Sequence, residues 1–274
     1  MEKKRILFIS QEIFPFLPKN ELSYSAKRIP QGIQDLGKEI RVFTPRYGNI
    51  NERRHQLHEV IRLSGMNIVI NDHDHPLIIK VASVPNAKMQ VYFIDNEEYF
   101  KRKQSVSEDD GKYFNDNDER SIFFCRGVLE TVKKLGWQPD VIHCHGWLGM
   151  MMPLYLKKVY NKDPHFANTK VVLSFYDLGF NHHFDDQLAE KLKFDGIDEE
   201  ITSEIGDATF ENVLSTAVKY SDGITVLSEK ISDICQKIFD EATCAKLDFV
   251  PEEHQSKQLS DFFDRVINEE VLVS

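Results

Sequence analysis

Short apolar runs alternate with longer amphipathic stretches along most of the chain. Several runs consist almost entirely of Val, Ile, Leu and Phe, which is typical of strands that helices cover on both faces. The pattern predicts strands at residues 5–10, 40–44, 66–70, 77–84, 90–94, 141–145, 171–175 and 224–227. It predicts helices at residues 23–36, 118–135, 148–160, 212–220, 228–239 and 259–268.

Alternation of this kind predicts an α/β fold with a Rossmann-like, doubly wound parallel sheet. Gly37 and Gly136 each follow a predicted helix, at the position where a left-handed residue commonly ends it. Residues 51–84 are rich in β-formers and predict a hairpin or meander inserted into the alternation, whereas residues 96–117 predict a loop or short helices. We expect residues 1–240 to form one domain and residues 241–274 to form a tail with a helix.

Composition narrows the classes of partner. The chain has 274 residues, 41% of them hydrophobic, and a formal net charge of −10. An acidic surface repels phosphate backbones, which argues against nucleic acid and anionic membranes as main partners. The four cysteines are far apart and predict reduced thiols rather than disulfides or a zinc site. With no apolar run of membrane-spanning length and no signal peptide, we expect a cytoplasmic protein.

The loop after the first strand is a first candidate for ligand binding, because open parallel sheets bind ligands at the carboxyl ends of their strands. It contains Glu12 and Lys19 and leads to a helix for which Ser23 is the predicted N-cap. A helix amino terminus with a lysine nearby can bind an anion. No glycine-rich phosphate loop is present, so an ordinary strand–helix connection remains the alternative.

A second candidate follows strand 141–145. His143 and His145 are two residues apart, so on a strand their side chains share one face, with Trp147 at the start of the next element. Polar groups at the end of a buried strand favour a substrate cleft, and hydrogen-bonded structural histidines are an equal alternative. No third ligand at a recognisable spacing supports a metal site.

Tyr176 and Asp177 end the next strand and should face the same rim. Other polar groups have simpler interpretations. His182 and His183 are expected to be solvated in a loop, residues 73–75 to form a turn, and the acidic residues 108–110 to form a solvated loop. No Ser-His-Asp arrangement is recognisable.

Taken in order, the motifs resemble glycosyltransferase family five, the glycogen and starch synthases. The likeness covers residues 4–235 and is specific in combination. It is carried by Glu12 with Pro15-Phe16, residues 29–48 with their Pro45-Arg46-Tyr47, residues 91–100, residues 109–124, residues 135–147 and residues 220–228.

The resemblance implies the N-terminal lobe of a GT-B type enzyme, which transfers glucose from ADP-glucose to an α-1,4-glucan with retention. By position it implies that Asp116 and His145 line the catalytic cleft. The implied substrate-binding residues are Lys19, Glu12, His143, Trp147, Tyr176 and Asp177. No metal or other cofactor is implied; ADP-glucose or ADP would bind as substrate ligands and an α-glucan as acceptor.

The chain departs from the family in its donor-binding motif. Residues 18–22 stand where the family has Lys-Thr-Gly-Gly-Leu, and both glycines are replaced, by Asn20 and Glu21, which hinders close approach to a diphosphate. The family's His-Asp-Trp becomes residues 145–147, and its Thr-Ile-His-Asn becomes residues 174–177. Nothing in these 274 residues resembles the family's second domain, which holds most of the donor site.

Two functions from different classes follow. The first is a glycogen/starch-synthase-type glucosyltransferase that works with a separately encoded second lobe or a second copy of the chain, the isolated chain being weak or inactive. The second is a catalytically inactive glucan-binding or regulatory single lobe. An unrelated nucleotide-binding Rossmann domain is less favoured, because no Gly-x-Gly-x-x-Gly follows the first strand.

Overall fold

The computed structural model describes residues 3–85 and 87–268. Within these residues one twisted sheet has the strand order β10-β9-β8-β7-β1-β2-β6-β5-β3, and β4 pairs with β5. The strands are β1 (Arg5–Ser10), β2 (Glu39–Pro45), β3 (His58–Glu59), β4 (Met66–Ile70), β5 (His73–Ser83), β6 (Gln90–Asp95), β7 (Val141–His145), β8 (Lys170–Phe175), β9 (Gly223–Val226) and β10 (Ala245–Leu247).

Helices connect the strands and cover both faces of the sheet. They are α1 (Glu21–Asp35), α2 (Glu52–His55), α3 (Glu97–Phe100), α4 (Asn117–Lys134), α5 (Met152–Leu154), α6 (Leu188–Phe194), α7 (Glu199–Ile205), α8 (Phe210–Lys219), α9 (Asp233–Glu241) and α10 (Glu252–Asn268). No helix in the described part of the chain is long and apolar enough to cross a membrane.

The prediction of a doubly wound parallel sheet is confirmed. The run from β10 through β9, β8, β7, β1 and β2 to β6 is parallel throughout. From β1 the chain adds β2 and β6 on one side, and then crosses to add β7 and its successors on the other. The β1/β7 junction is therefore the topological switch point, where ligands bind in folds of this kind.

The β-rich segment forms an antiparallel extension at one edge, as predicted. β5 pairs antiparallel with β6, β3 and β4. The turn lies at Asn71 and Asp72, both with positive φ, so the prediction that residues 73–75 form the turn is wrong. Asparagine and aspartate tolerate the left-handed region better than most residues, which places the turn two positions earlier. His75 instead lies buried within β5.

Several predicted helices differ from those observed. Residues 148–160 are helical but irregular, with a 3-10 turn at Trp147–Gly149 and a π-helical turn at Tyr155–Val159. Pro153 lies between these turns and has no N–H to continue a regular helix. The helix predicted from residue 228 begins at Asp233, because Ser232 is its N-cap. The sequence pattern missed α6 and α7, which at seven residues each are too short to show a clear periodicity.

The last helix starts earlier than predicted and packs on the body of the molecule. α10 begins at Glu252 rather than at residue 259, and it lies against α1 and the adjoining face of the sheet. Its buried residues include Leu259, Phe262, Phe263 and Val266. Lys38 on the body binds Asp264 across this interface, with 2.8 Å between Nζ and Oδ2.

The cysteines agree with the sequence prediction. All four are free, three of them buried and Cys244 partly buried. Burial raises the pKa of the Cys144 and Cys125 thiols above the ordinary value, so both stay protonated near neutral pH.

Candidate functional site

The carboxyl ends of β1 and β7 are joined directly at the switch point. Trp147 donates its backbone N–H to Oε1 of Gln11, at 3.0 Å. Gly146 precedes it with φ of 85°, and a Cβ placed there would lie 2.3 Å from the same Gln11 oxygen. Glycine at this position allows the chain to turn close over β1, which holds the two strand ends together.

The two histidines of β7 share one face, as the alternation predicts. His145 Nε2 lies 3.0 Å from His143 Nδ1. The pair is extended at both ends, because Tyr176 Oη lies 2.6 Å from His145 Nδ1 and Ser174 Oγ is hydrogen-bonded to His143 Nε2. The result is a continuous hydrogen-bonded chain of four side chains from β7, β8 and the residue that follows β8.

This chain is closed to solvent. Both histidines have no exposed surface, and the ring of Phe263 on α10 lies 5.1 Å from that of His143. Burial lowers the pKa of His145 from its usual 6.5 to about 3, and burial together with the neighbouring His145 lowers the pKa of His143 well below its ordinary value. Both rings are therefore neutral at neutral pH. Their proposed contacts with a substrate stay predictions.

Asp116 lies at the start of α4, where it forms a two-pronged ion pair. Its carboxylate accepts hydrogen bonds from Nη1 and Nη2 of Arg102, at 2.6 and 2.5 Å. The guanidinium of Arg102 also lies over the ring of Phe114, 4.5 Å from its centroid. Asp116 is thus oriented by the loop that precedes α4, and its side chain remains 25% exposed.

Glu12 connects that same loop to the start of α1. Its carboxylate accepts hydrogen bonds from Ser105 Oγ at 3.1 Å and from Asn20 Nδ2 at 2.7 Å. Glu12 and Asp116 are therefore both held by the loop of residues 101–116, at the carboxyl edge of the sheet. Sequence reasoning named the two acids but missed Arg102 and Ser105, because one basic and one polar residue in a charged loop carry no distinctive spacing.

The amino terminus of α1 is capped by its own side chains. Asn20, not Ser23, is the N-cap: its Oδ1 accepts from Ser23 N at 2.7 Å, and Ser23 Oγ accepts from Asn20 N at 2.9 Å. The prediction of Ser23 as the cap is wrong because Ser23 occupies the third helical position of this capping box. Lys19 lies with its ammonium 3.9 Å from the centroid of the Tyr24 ring.

Glu21 occupies the first turn of α1. Its carboxylate accepts a hydrogen bond from Ser228 Oγ at 2.6 Å, and Ser228 Oγ in turn accepts from the backbone N–H of Asp177 at 2.9 Å. The start of α1 is thereby tied to the ends of β8 and β9 through a negatively charged side chain.

Trp147, Tyr176 and Asp177 line a cavity between the ends of β7 and β8 and the amino end of α9. Its volume is about 160 Å³. Phe180 stacks on Trp147 with 4.8 Å between ring centroids and 3° between ring planes. The structure thus brings residues 147, 176 and 177 to the edge of one cavity, whereas His143, His145 and the hydroxyl group of Tyr176 lie on the other face of the sheet.

The structure also locates the other polar residues that the sequence singled out. His182 is buried, not solvated as predicted, because it packs 4.8 Å from the ring of Tyr113. His183 is exposed and lies 2.8 Å from Asp207. The acidic residues 108–110 form an exposed loop as predicted. The described residues hold no group of three or more His, Cys, Asp or Glu side chains suited to a metal ion.

The parallel sheet, with polar loops gathered at its switch point, agrees with one lobe of a GT-B type glycosyltransferase fold. The sequence model of the starch synthase catalytic domain matches residues 5–247, and the chain belongs to that family. It is 36% identical over 233 residues to a glycogen synthase of Chlorobium limicola, covering 84% of this chain and 46% of that protein. It is 34% identical over 255 residues to a glycogen synthase of Pelodictyon phaeoclathratiforme, covering 92% and 51%.

A solved structure agrees on the fold. The catalytic domain of starch synthase IV from Arabidopsis thaliana, bound to ADP and acarbose, superposes with a TM-score of 0.71 at 16% identity. The match covers 91% of this chain and 52% of that one. The chain therefore spans about half the length of the relatives it matches.

Proposed function

We propose that this chain is the acceptor-side lobe of a glycogen/starch-synthase-type glucosyltransferase. The observation that carries the proposal is the family match over residues 5–247, together with glycogen synthases 36% identical over most of the chain. In this proposal the donor is ADP-glucose, the acceptor is an α-1,4-glucan and no cofactor is required. Since the chain spans about half of its relatives, the facing lobe comes from further sequence, a separate polypeptide or a second copy.

The carboxyl edge of the sheet supports a role in holding the acceptor. Carboxylates accept hydrogen bonds from sugar hydroxyls, and Glu12 and Asp116 are fixed at this edge by Ser105 and Arg102. Asp116, one-quarter exposed, is the better placed of the two candidate catalytic residues to touch a ligand. His145 acts in this proposal only after a rearrangement that exposes its ring.

Glucan binding is tested by electrophoresis through gels containing glycogen. We expect the protein to be retarded by glycogen, and Asp116→Asn to reduce that retardation by removing one charged acceptor. Glu108→Gln is the matched control, since it neutralises an exposed carboxylate of the same loop. Equal retardation of all three proteins, or none of the unmodified protein, would contradict the proposal.

Transfer is measured separately, as incorporation of labelled glucose from ADP-glucose into glycogen. We expect little incorporation by the chain alone and a rise of at least about a hundredfold when a facing lobe is supplied, because the charged groups that stabilise the departing diphosphate would come from that lobe. No rise with any facing lobe would leave glucan binding as the activity.

A second candidate is a glucan-binding or regulatory lobe that has lost donor chemistry. One observation favours it: α1 is capped by Asn20 and Ser23, and Glu21 places a negative charge in its first turn. An anion at a helix amino terminus needs free N–H groups and a positive potential. Here the Ser23 N–H is already bonded to Asn20, and the Glu21 carboxylate makes the local potential more negative, so the arrangement disfavours an anion.

Restoring the two family glycines separates the candidates. The double variant Asn20→Gly/Glu21→Gly removes the side-chain cap and the negative charge together. If only this motif blocks the donor, the variant should gain a thermal shift with ADP that the unmodified protein lacks. A shift in the unmodified protein would exclude the second candidate, and the variant Asn20→Gly alone controls for the loss of the cap.

A further inference from the structure

The cavity beside Trp147 has the size and surface of a site for a single ring. Trp147, Phe175, Phe180 and Phe210 contribute aromatic side chains to its lining. Its volume of about 160 Å³ is close to the roughly 150 Å³ of an apolar cavity that accommodates benzene. The space is therefore large enough for one six-membered ring and too small for an oligosaccharide.

The polar groups around the cavity are already used within the protein. Ser174 Oγ is bonded to His143, and Tyr176 Oη to His145. Ser232 Oγ accepts from the backbone N–H of Cys235, at 3.3 Å, as the cap of α9. Ser174 and Tyr176 thus turn their hydroxyl groups towards the histidine face of the sheet, and Ser232 is engaged by α9, so the three residues offer the cavity little capacity for hydrogen bonds.

A glucose unit is a poor occupant for such a space. Each of its hydroxyl groups leaves water on binding, and one that stays unpaired in an apolar site costs roughly 1–3 kcal/mol. Because the lining offers mainly aromatic and aliphatic carbon, several hydroxyls would remain unpaired. The cavity thus differs in chemistry from the charged edge formed by Glu12 and Asp116.

The mouth of the cavity is different from its interior. Asp177 and Asn181 line it and are exposed, and no hydrogen bond or ion pair of either side chain is found in the described part of the chain. A carboxylate and an amide oxygen at one end can accept a hydrogen bond from a ligand whose other end is apolar. This places one polar recognition point at the rim of an aromatic pocket.

We propose that this cavity binds a small aromatic molecule with a single hydrogen-bond donor, of the phenol or indole class. The ring occupies the space between Trp147 and Phe210, and its hydroxyl or N–H group donates to Asp177 at the mouth. Aromatic rings in such a site gain from edge and offset contacts beyond the area that they bury. The cavity adjoins the loop of residues 101–116, because the rings of Tyr113 and Phe180 lie 5.4 Å apart, but the proposal does not depend on the transferase proposal.

The test compares three probes on the full chain: p-cresol, toluene and methyl α-glucoside. Binding is followed by calorimetry and by the fluorescence of Trp147 in a Trp137→Phe background, which removes the other tryptophan. We expect saturable one-to-one binding of p-cresol, weaker binding of toluene, and no effect of the glucoside on Trp147. Binding of the glucoside at Trp147 without binding of p-cresol, or no response to any probe, would overturn the proposal.

Two variants assign the site. Leu214→Phe adds volume inside the cavity and should abolish binding of both aromatic probes, whereas Leu36→Phe makes the same change at an exposed position and should leave binding intact.

Asp177→Ala should weaken the affinity for p-cresol about tenfold, the equivalent of one charge-assisted hydrogen bond, and leave the affinity for toluene unchanged. Because Asp177 is exposed, this variant tests the proposal even if Leu214→Phe does not fold. Unchanged p-cresol affinity in Asp177→Ala would contradict the assigned donor contact.

Discussion

Individual side chains at the ends of β7 and β8 take their chemistry from what covers them. His145 and His143 are bonded to each other and to Tyr176 and Ser174, and no solvent reaches them. A buried imidazole in apolar surroundings is held neutral, since its charged form would lose hydration without gaining a counter-ion. Both histidines therefore act as fixed hydrogen-bonding groups in this conformation.

This neutrality predicts a loss of stability in acid. The pKa of His145 is about 3 in the folded protein and 6.5 for an ordinary histidine, so between these values the unfolded chain binds a proton that the folded chain does not. The free energy of unfolding should then fall as pH decreases from about 6.5, by up to about 1.4 kcal/mol per pH unit for each such group. Urea unfolding of the unmodified protein and His145→Gln measures it; the variant should show the smaller slope.

Asp118 and His183 also have shifted pKa values, and their effects must be separated from that of His145. Burial raises the pKa of Asp118 to about 6, which stabilises the folded protein as pH falls, but Asp118 is present in both proteins and cancels in their difference. His183 is the matched control, because its hydrogen bond to Asp207 raises its pKa. His183→Gln should not reduce the acid slope. Parallel pH profiles for His145→Gln and the unmodified protein would show that His145 is not held neutral.

Among the elements, α1 and α10 pack closely at Gly32. A Cβ on Gly32 would lie 2.3 Å from Ser256 Oγ and 2.6 Å from its Cβ. The crossing is flanked by ion pairs, Arg28 with Glu252 at 3.1 Å and Lys38 with Asp264 at 2.8 Å. Glycine at position 32 thus sets the distance at which α10 docks.

The contact between Gly32 and Ser256 predicts that substitutions at these two positions have strongly non-additive effects on the free energy of unfolding. Gly32→Ala would raise helix propensity by up to about 1 kcal/mol in an open helix, but here it should destabilise the protein, because the added methyl group overlaps Ser256. In a Ser256→Gly background the same substitution should be neutral or stabilising. A double-mutant cycle in urea gives the coupling energy; additive effects would mean that the helices separate to accommodate the methyl group.

For the molecule as a whole, α10 completes one covered face of the sheet. Phe262 lies against Gly223, and Phe263 against Phe8 and His143. Without α10, these apolar surfaces at the centre of the sheet would meet water. The placement of a domain boundary at residue 240 stays a prediction, and the role of α10 provides its test.

Truncation after Val250 removes α10 and leaves all the described strands. We expect the truncated protein to lose several kcal/mol of stability or to unfold, since burial of each large apolar side chain contributes roughly 1.5–3 kcal/mol. Circular dichroism during heating measures the loss, with Lys257→Ala as a control for the exposed face of the helix. A truncated protein with unchanged melting would show instead that residues beyond 250 are a separable tail.

The sequence by itself determined the central sheet, because runs of apolar residues alternating with amphipathic helices leave few other ways to bury them. The strand period of two likewise determined that His143 and His145 share a face. These features depend on neighbouring residues, whose spacing is visible in the chain. The short helices α6 and α7 lacked such a signal.

Only the tertiary structure decided what those side chains meet. That Phe263 covers His143, that Arg102 holds Asp116, and that Trp147 borders an apolar cavity all depend on segments far apart in sequence. Local periodicity shows which face a side chain occupies, but burial, pKa and ligand chemistry depend on the atoms that pack against that face. For that reason the sequence located the polar ends of the central strands, and only the packed structure separated the charged rim of Glu12 and Asp116 from the aromatic cavity beside Trp147.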